Sequence, residues 1–219
     1  MTFAPFSSLY VGTAPASTPS LGYASLYVDY IYLDTDERRQ FAQVQHEYLI
    51  EQLQYTGAES FSNTSVKSKL ALNHPCKELI WVAQPTANID DKHTSVYGPS
   101  TGTYKQANFA VSQSVVDAKL QLNGHDRFSI RSGDYFNLVQ PYQHHTRIPS
   151  TGIYVYSFAL NPEAHQPSGT VNMSRIDNAT LMLTLWDGVT ADGCQLRVYA
   201  VNYNVLRIMA GMGGLVSLN

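Results

Sequence analysis

The chain has 219 residues, of which 14% are charged, and a formal net charge of −3, from 14 Lys and Arg against 17 Asp and Glu. This charge balance, without a long basic run, argues against a dedicated nucleic-acid surface. The sequence has no apolar run long enough to span a membrane, which argues against a membrane-spanning helix. Its start lacks the pattern of a signal peptide, which argues against secretion. Two cysteines, Cys76 and Cys194, give neither a disulfide framework nor a four-thiolate zinc site, and they suit a reducing compartment.

The N-terminal residues divide into a predicted arm or linker and a predicted first β segment. Residues 1–23 are small, polar and proline-bearing, so they predict an arm or linker ahead of a domain at 24–219. Residues 24–33, ASLYVDYIYL, predict the first strand of that domain because Tyr, Val and Ile dominate and Asp29 is the only charge.

A helix start follows this segment. Asp34 can cap the helix while Glu37, three residues on, can reach back as in a capping box. Loss of the cap in an Asp34→Ala variant is expected to destabilise the domain by about 0.5–2 kcal/mol. By apolar periodicity the helix could continue to Leu53, whereas 46–55, HEYLIEQLQY, is equally compatible with a strand, and the pattern leaves both open.

The rest of the chain alternates strand patterns with turn signals. Further strands are predicted at 67–72, 77–84, 109–122, 153–160, 178–186 and in the C-terminal stretch 194–219. The intervening segments are predicted as a bulge or corner at Pro75, a long exposed loop at 85–106, turns at 124–132 and 187–193, and a loop at 161–169. Residues 135–145 are ambiguous and compatible with a short helix broken near Pro141. About eight strands with turns between them predict a sandwich or barrel.

The C-terminal stretch is the longest strand-forming run. One face carries Leu196, Val198 and Ala200, and the opposite face carries Tyr199, Val201, Tyr203 and Val205. Because both faces are largely apolar or aromatic, the pattern predicts a central strand in a sheet covered on both sides. The glycines at 211, 213 and 214 are expected to end the strand and turn the chain.

Two short motifs could carry chemistry, and neither is convincing. His144 and His145 are sequence neighbours, and neighbours on a strand point to opposite faces, so they are expected to be hydrogen-bonding or surface histidines and not metal ligands. His74 and Cys76 lack an identifiable third residue to orient a nucleophile and base. The sequence therefore assigns no catalytic, cofactor-binding or metal-binding residue, and predicts that the protein is not an enzyme.

Six long motifs resemble a known family. They are YIYLDTDERRQFAQ (30–43), HEYLIEQLQ (46–54), NHPCKELIWV (73–82), FNLVQPYQHHTRIP (136–149), YSFALNPEAHQPSGTVNMSRIDNATL (156–181) and LRVYAVNYNVLRIMAGMGGL (196–215). In this order they are similar to the major capsid proteins of the nucleocytoplasmic large DNA viruses, of the iridovirus, chlorella-virus and mimivirus type. The similarity covers the C-terminal jelly roll of a family protein about twice this length.

The resemblance implies an all-β fold, an eight-stranded jelly-roll β-sandwich with short helical insertions. It favours a short helix followed by a strand from about His46. It implies a structural protein without cofactors that forms trimeric, pseudo-hexagonal capsomers of an icosahedral shell, with neighbouring capsomers and minor capsid proteins as partners. It also implies a place in the virion, assembly in the host cytoplasm, and neither nucleic-acid binding nor direct membrane insertion.

Two alternative functions use related folds. Jelly rolls also occur in lectins, so a glycan- or receptor-binding module on the virion surface would use the loops 85–106 and 161–169. A cupin-like metalloenzyme is the second alternative, and the spacing of the histidines weakens it.

Overall fold

The computed structural model describes residues 5–6, 9–10, 13, 16–17, 19–90, 97–98, 113–187 and 193–216. The strands are β1 His46–Phe61, β2 Ser65–Leu70, β3 Pro75–Pro85, β4 Val115–Leu122, β5 His125–Asp126, β6 Arg131–Ser132, β7 Ile153–Ser157, β8 Val171–Asn172, β9 Ala179–Leu185, β10 Cys194–Met209 and β11 Met212–Leu215. The helices are α1 Thr35–Gln43, α2 Thr86–Asp90 and α3 Gln140–His144, with a π-helical turn at Tyr135–Val139 and a 3₁₀ turn at Met173–Arg175. Within these residues, no helix has the length and apolar character needed to cross a membrane.

Two antiparallel sheets contain the strands. The first sheet has the order β1-β10-β3-β7 and the second has the order β2-β9-β4-β5. The pairs nest along the chain, since β1 pairs with β10, β2 with β9, β3 with β7 and β4 with β5. Nested antiparallel pairs divided between two sheets make a jelly roll, which confirms the predicted fold. The short strands β6, β8 and β11 extend these sheets.

The core lies between the sheets and is rich in aromatic side chains. Strand β2 alternates between exposed and buried residues along its whole length, as a strand does when only one face meets a core. Trp81 of β3 is buried against Phe136 of the π-helical turn, with ring centroids 5.1 Å apart, and against Tyr154 of β7, at 6.0 Å. The helical segment therefore contributes to the core and is not a surface insertion.

Helix α1 is short and is followed directly by the first long strand. The Asp34 side chain accepts a hydrogen bond from the Glu37 amide at 2.8 Å, which confirms the predicted cap. The helix ends at Gln43 and β1 begins at His46. The structure thereby decides between the two possibilities left open by periodicity, in favour of a short helix and then a strand.

The prediction of a first strand at 24–33 is wrong for this structure. These ten residues have no regular secondary structure and all are exposed. A strand needs a hydrogen-bonding neighbour, and no strand among the described residues pairs with this segment. The segment has the composition of a strand, but the described residues offer it no neighbouring strand.

The predicted loop at 85–106 also differs. Pro85 ends β3, and the next residues form α2, in which the buried Asn88 side chain donates to the Gly98 carbonyl at 2.8 Å. The described part of this range is therefore anchored, and 91–96 and 99–106 lie outside the described residues. The strand predicted at 109–122 begins at Val115, and 109–112 likewise lie outside them.

Three smaller predictions need correction. The chain stays helical through Pro141, because proline is tolerated in the first turn of α3. The predicted turn at 124–132 contains the two short strands β5 and β6. Only Gly211 of the C-terminal glycines lies in the turn, at a φ of 75°, beside Ala210 at 53°, and the chain then continues into β11. The other predicted strands match the observed ones within a few residues.

Candidate assembly surface

The outer face of the first sheet carries a run of apolar side chains across two strands. It comprises Leu49, Leu53 and Tyr55 of β1 and Tyr199, Val201 and Val205 of β10, which we call the outer strip. Residues directly opposite one another in an antiparallel pair point to the same side, and Leu49 lies opposite Val205, Leu53 opposite Val201 and Tyr55 opposite Tyr199. The six side chains therefore share one face of the sheet.

Water reaches much of the outer strip. Leu53 is 64% exposed and Tyr55 is 48% exposed, although the Tyr55 and Tyr199 rings stack with centroids 4.8 Å apart. Glu51, opposite Tyr203, lies on the same face between Leu49 and Leu53 and pairs with Lys77, so the strip has one charged position within it. An exposed apolar patch on a sheet face marks an interaction site when it is not buried within the molecule. Among the described residues, no layer lies over the strip.

Strand β10 therefore differs from its prediction on one face. Its inner face is buried as predicted, with Leu196, Val198 and Ala200 all at 2% exposure or less. On its outer face Tyr203 is buried next to Lys77, as predicted, whereas Tyr199, Val201 and Val205 are only partly buried. The apolar pattern indicated a covered strand correctly for the inner face, while the outer face lacks a cover among the described residues.

The outer face of the second sheet has a different chemistry. Lys67 of β2 and Lys119 of β4 flank Met182 of β9 in one cross-strand row, and Lys119 pairs with Asp126 at 3.2 Å. Charged and hydroxyl side chains dominate this face, including Lys69 opposite Thr180. The two outer faces are thus distinct surfaces. That of the first sheet carries the outer strip together with the ion pairs of Glu47 with Arg207 and of Glu51 with Lys77, whereas lysines and hydroxyl groups dominate that of the second.

A buried lysine borders the outer strip. Strand β3 has a register shift against β10 at Lys77, two residues after the proline that predicted a bulge or corner. The Lys77 ammonium is 2.7 Å from a Glu51 carboxylate oxygen, donates to the Pro162 carbonyl at 2.6 Å and lies 5.5 Å from the centre of the Tyr203 ring. These contacts compensate a charge whose side chain is only 3% exposed.

His145 lies between two carboxylates next to this lysine. Its Nε2 is 3.1 Å from Glu78 of β3 and its Nδ1 is 3.1 Å from Glu163. The hydrogen bond to Glu78 is the main cause that raises the pKa of His145, and burial opposes it. Hydrogen bonds from the Thr146 amide and hydroxyl, followed by the contact with His145, lower the pKa of Glu163.

The two neighbouring histidines are not on a strand, which corrects the geometry assumed for them. His144 ends α3, and its Nδ1 is 2.9 Å from the Leu160 carbonyl, while His145 makes the ion pairs described above. Both are thus hydrogen-bonding histidines, as predicted. In the described ranges, no three His, Cys, Asp or Glu side chains are grouped so that they could hold a metal ion.

The two cysteines are poor nucleophiles in this fold. Burial raises the pKa of Cys76 to about 12, and the Cys76 thiol donates to the Glu78 carbonyl at 3.1 Å. Burial raises the pKa of Cys194 to about 11. Since the thiolate is the reactive form, both thiols are inert near neutral pH.

The family model described as the large eukaryotic DNA virus major capsid protein matches residues 37–214. The major capsid protein of Pyramimonas orientalis virus is 53% identical over 93% of this chain and 51% of its own length. The major capsid protein of Paramecium bursaria Chlorella virus 1 is 45% identical over 94% of this chain and 56% of its own length. The chain thus spans about half the length of these relatives.

Solved structures give the same result for the fold. A chain of the PBCV-1 virus capsid superposes with a TM-score of 0.72 and 39% identity, over 87% of this chain and 56% of that one. The Faustovirus major capsid protein shares the fold alone, with a TM-score of 0.65 at 13% identity over 81% of this chain and 36% of that one. With the family model covering most of its residues, the chain belongs to the major capsid proteins of large eukaryotic DNA viruses.

Proposed function

We propose that this chain is a structural building block of a virus shell, one jelly roll of a major capsid protein that forms trimeric, pseudo-hexagonal capsomers in an icosahedral capsid. Family membership supports the structural role, and the outer strip is the observation that supports assembly. Because the chain spans about half of its relatives, we assign the complete capsomer to this jelly roll together with a second one.

The chemistry of the outer strip fits a protein partner. Aromatic and aliphatic side chains that carry no charge are the groups that protein interfaces bury at their centres, and tyrosine is enriched there. The stacked pair of Tyr55 and Tyr199 offers a rigid platform with two polar tips at the margin of such an interface. We propose that the face of another jelly roll covers the strip, since two sheets pack well when both inner faces are apolar.

The exposed segment at 24–33 fits the same proposal. Its alternate residues are apolar on both sides, which is typical of a strand inside a sheet that is covered on both faces. We propose that 1–23 is an arm or linker and that 24–219 is the jelly-roll domain, within which 24–33 adds a strand to a neighbouring sheet instead of its own.

The remaining parts of the proposal concern location and partners. We place the protein in the virion after assembly in the host cytoplasm, with neighbouring capsomers and minor capsid proteins as its partners. We propose no nucleic-acid contact, because the net charge is −3 and Lys119, one of the lysines on the polar outer face, is paired with an acid. We propose no direct membrane insertion for the same jelly roll.

Native mass spectrometry of the chain joined to a preceding second jelly roll tests the proposal. The double-length protein is expected to form trimers, and a variant with Leu53→Ser and Tyr199→Ser is expected to remain monomeric. Met182→Ser is the matched control, because it removes an apolar side chain from the outer face of the second sheet. It should trimerise like the unaltered protein.

The shorter chain supplies the second part of the test. Without its partner, the 219-residue chain is expected to fold and to associate irregularly through the uncovered strip. The proposal would be wrong if this chain were a stable monomer that never joined the double-length protein or its particles. It would also be wrong if the serine variant trimerised as well as the control.

A further inference from the structure

We propose that His145 is a proton-controlled clasp, which fastens the surface segment 160–165 to strand β3 when the ring is protonated and releases it when the ring loses a proton. The clasp is a property of the jelly roll itself and does not rest on the proposed assembly. It can therefore be tested on the 219-residue chain, and its failure would leave the capsomer proposal unaffected.

The position of the ring between two carboxylates favours its doubly protonated form. Nε2 of His145 lies 3.1 Å from a Glu78 oxygen and Nδ1 lies 3.1 Å from a Glu163 oxygen, and of these two contacts only the one with Glu163 has hydrogen-bond geometry. An ionised carboxylate only accepts hydrogen bonds, so each contact needs an N–H on the ring. A neutral imidazole has one N–H and one lone pair, and it can satisfy only one of the two.

The segment that the clasp holds depends largely on polar contacts. Leu160, Asn161, Glu163 and His165 are exposed, whereas Pro162 is buried and anchors the middle of the segment. The Thr146 amide donates to both Glu163 oxygens at 3.1 Å, the Lys77 ammonium donates to the Pro162 carbonyl, and His144 contacts the Leu160 carbonyl. The carboxylate of Glu163 is therefore the part of the segment that joins it to the end of α3.

The surrounding charges favour the protonated ring. Glu78 of β3 and Glu163 of the segment contact it directly, Lys77 of β3 is neighboured by Glu51 of β1, and His144 of α3 precedes it. Glu51 offsets the charge of Lys77, which leaves two carboxylates for one imidazolium. The other contact of the segment with a histidine survives deprotonation, since a neutral His144 with its proton on Nδ1 still donates to the Leu160 carbonyl.

Burial decides which of the two contacts is lost. The Glu78 side chain is 9% exposed, whereas that of Glu163 is 38% exposed. An orphaned carboxylate costs more where water cannot reach it, so the remaining N–H stays on Glu78. Glu163 then faces a ring lone pair, and water can solvate its carboxylate instead. The Thr146 amide and Lys77 still contact the segment, so the expected result of deprotonation is loosening of the segment at Glu163 without unfolding of the sheet.

The sign of the pH dependence follows from the direction of the shift. The pKa of His145 in the folded protein is raised above its ordinary value of 6.5. The stabilisation is therefore complete below 6.5 and is lost as the pH rises through the higher folded value. Cys76 and Cys194 do not interfere in this range, because burial raises the pKa of both thiols to about 11 or above.

Amide hydrogen exchange of the 219-residue chain tests the clasp. Protection factors, which correct for the intrinsic pH dependence of exchange, would be measured for the Thr146 amide and for 160–165 between about pH 6 and about pH 9, with β10 amides as the internal reference. The pKa of His145 is expected to be higher when the segment is attached than when it is detached. For each unit of this difference, the protection factors of the segment are expected to fall about tenfold as the pH rises across the range. The His145 ring proton shifts should titrate over the same range.

Two variants complete the experiment. His145→Gln can contact only one carboxylate at any pH, so its segment should show low protection without pH dependence. His165→Gln, in the same segment but outside the clasp, should behave like the unaltered protein. Unchanged protection of the segment across the whole range, or pH dependence that persists in His145→Gln, would overturn the proposal. Because the titration of the unaltered chain stands alone, a variant that failed to fold would not remove the test.

Discussion

At the scale of single residues, burial decides how much a polar contact contributes to the stability of the fold. Asp34 accepts a hydrogen bond from an amide at the exposed start of α1, and none of the helix residues is buried. Glu78 makes a similar charge-assisted contact with His145, but at a position from which water is largely excluded. The first contact organises a local turn, whereas the second compensates a charge that the sheet could not otherwise hold.

The Asp34→Ala variant tests this difference. Losing the cap is expected to weaken α1 by about 0.5–2 kcal/mol, measured as lost amide protection in 35–43. Because α1 buries no side chain, we expect the urea midpoint of the whole domain to stay unchanged, in contrast to the domain-wide loss that the sequence suggested. An equal fall of the midpoint would show that the helix unfolds together with the jelly roll.

At the scale of elements, β10 organises the first sheet because it lies between β1 and β3 along most of its length. Its inner residues meet the core and its outer residues form part of the outer strip. The period of two along a strand means that neighbouring residues experience different surroundings. Ala200, on the inner face, is fully buried, and Val201, on the outer face, is partly exposed.

Enlarging these two neighbours should have unequal effects on stability. Ala200→Leu adds atoms to a filled core and is expected to lower the free energy of unfolding by about 1–3 kcal/mol. Val201→Leu adds one carbon to the outer strip and should change the free energy of unfolding by less than about 0.5 kcal/mol. Urea unfolding of both variants measures the difference. Equal losses would mean that the outer face is as tightly packed as the core.

The sequence predicted those elements whose pattern and surroundings agree. Strands β7 and β10 were predictable because β-branched and aromatic residues dominate them, and β9 because every second residue is apolar and buried; the partners of all three lie in the same chain. The segment 24–33 has the same pattern and is not a strand, because pairing is a property of two segments and not of one. The contacts of Lys77, Glu78 and His145 were not predicted. Charges within KELIWV gave a weak signal, but their partners are distant in the sequence.

At the scale of the whole molecule, the two outer faces of the sandwich differ in kind. The first sheet presents apolar side chains, while the second presents lysines and hydroxyl groups. A jelly roll that functioned alone would expose the first face to water at a cost in solubility. Together with the exposed segment 24–33, this asymmetry fits the proposal that neighbouring molecules complete the surface of the jelly roll.

Substitutions in the exposed segment separate folding from association. Tyr27→Ser together with Ile31→Ser removes two exposed side chains that lie on one side of an extended strand. Because neither side chain is buried, the free energy of unfolding from urea titration should change by less than about 0.5 kcal/mol. Sedimentation velocity should show less irregular association of the 219-residue chain, since the segment can no longer present a continuous apolar face to another sheet.

Tyr142→Ser, at an exposed position on α3, is the control and should leave association unchanged. A large loss of stability in the double variant would instead place the segment within this jelly roll, and association equal to that of the control would exclude it from the contact between molecules.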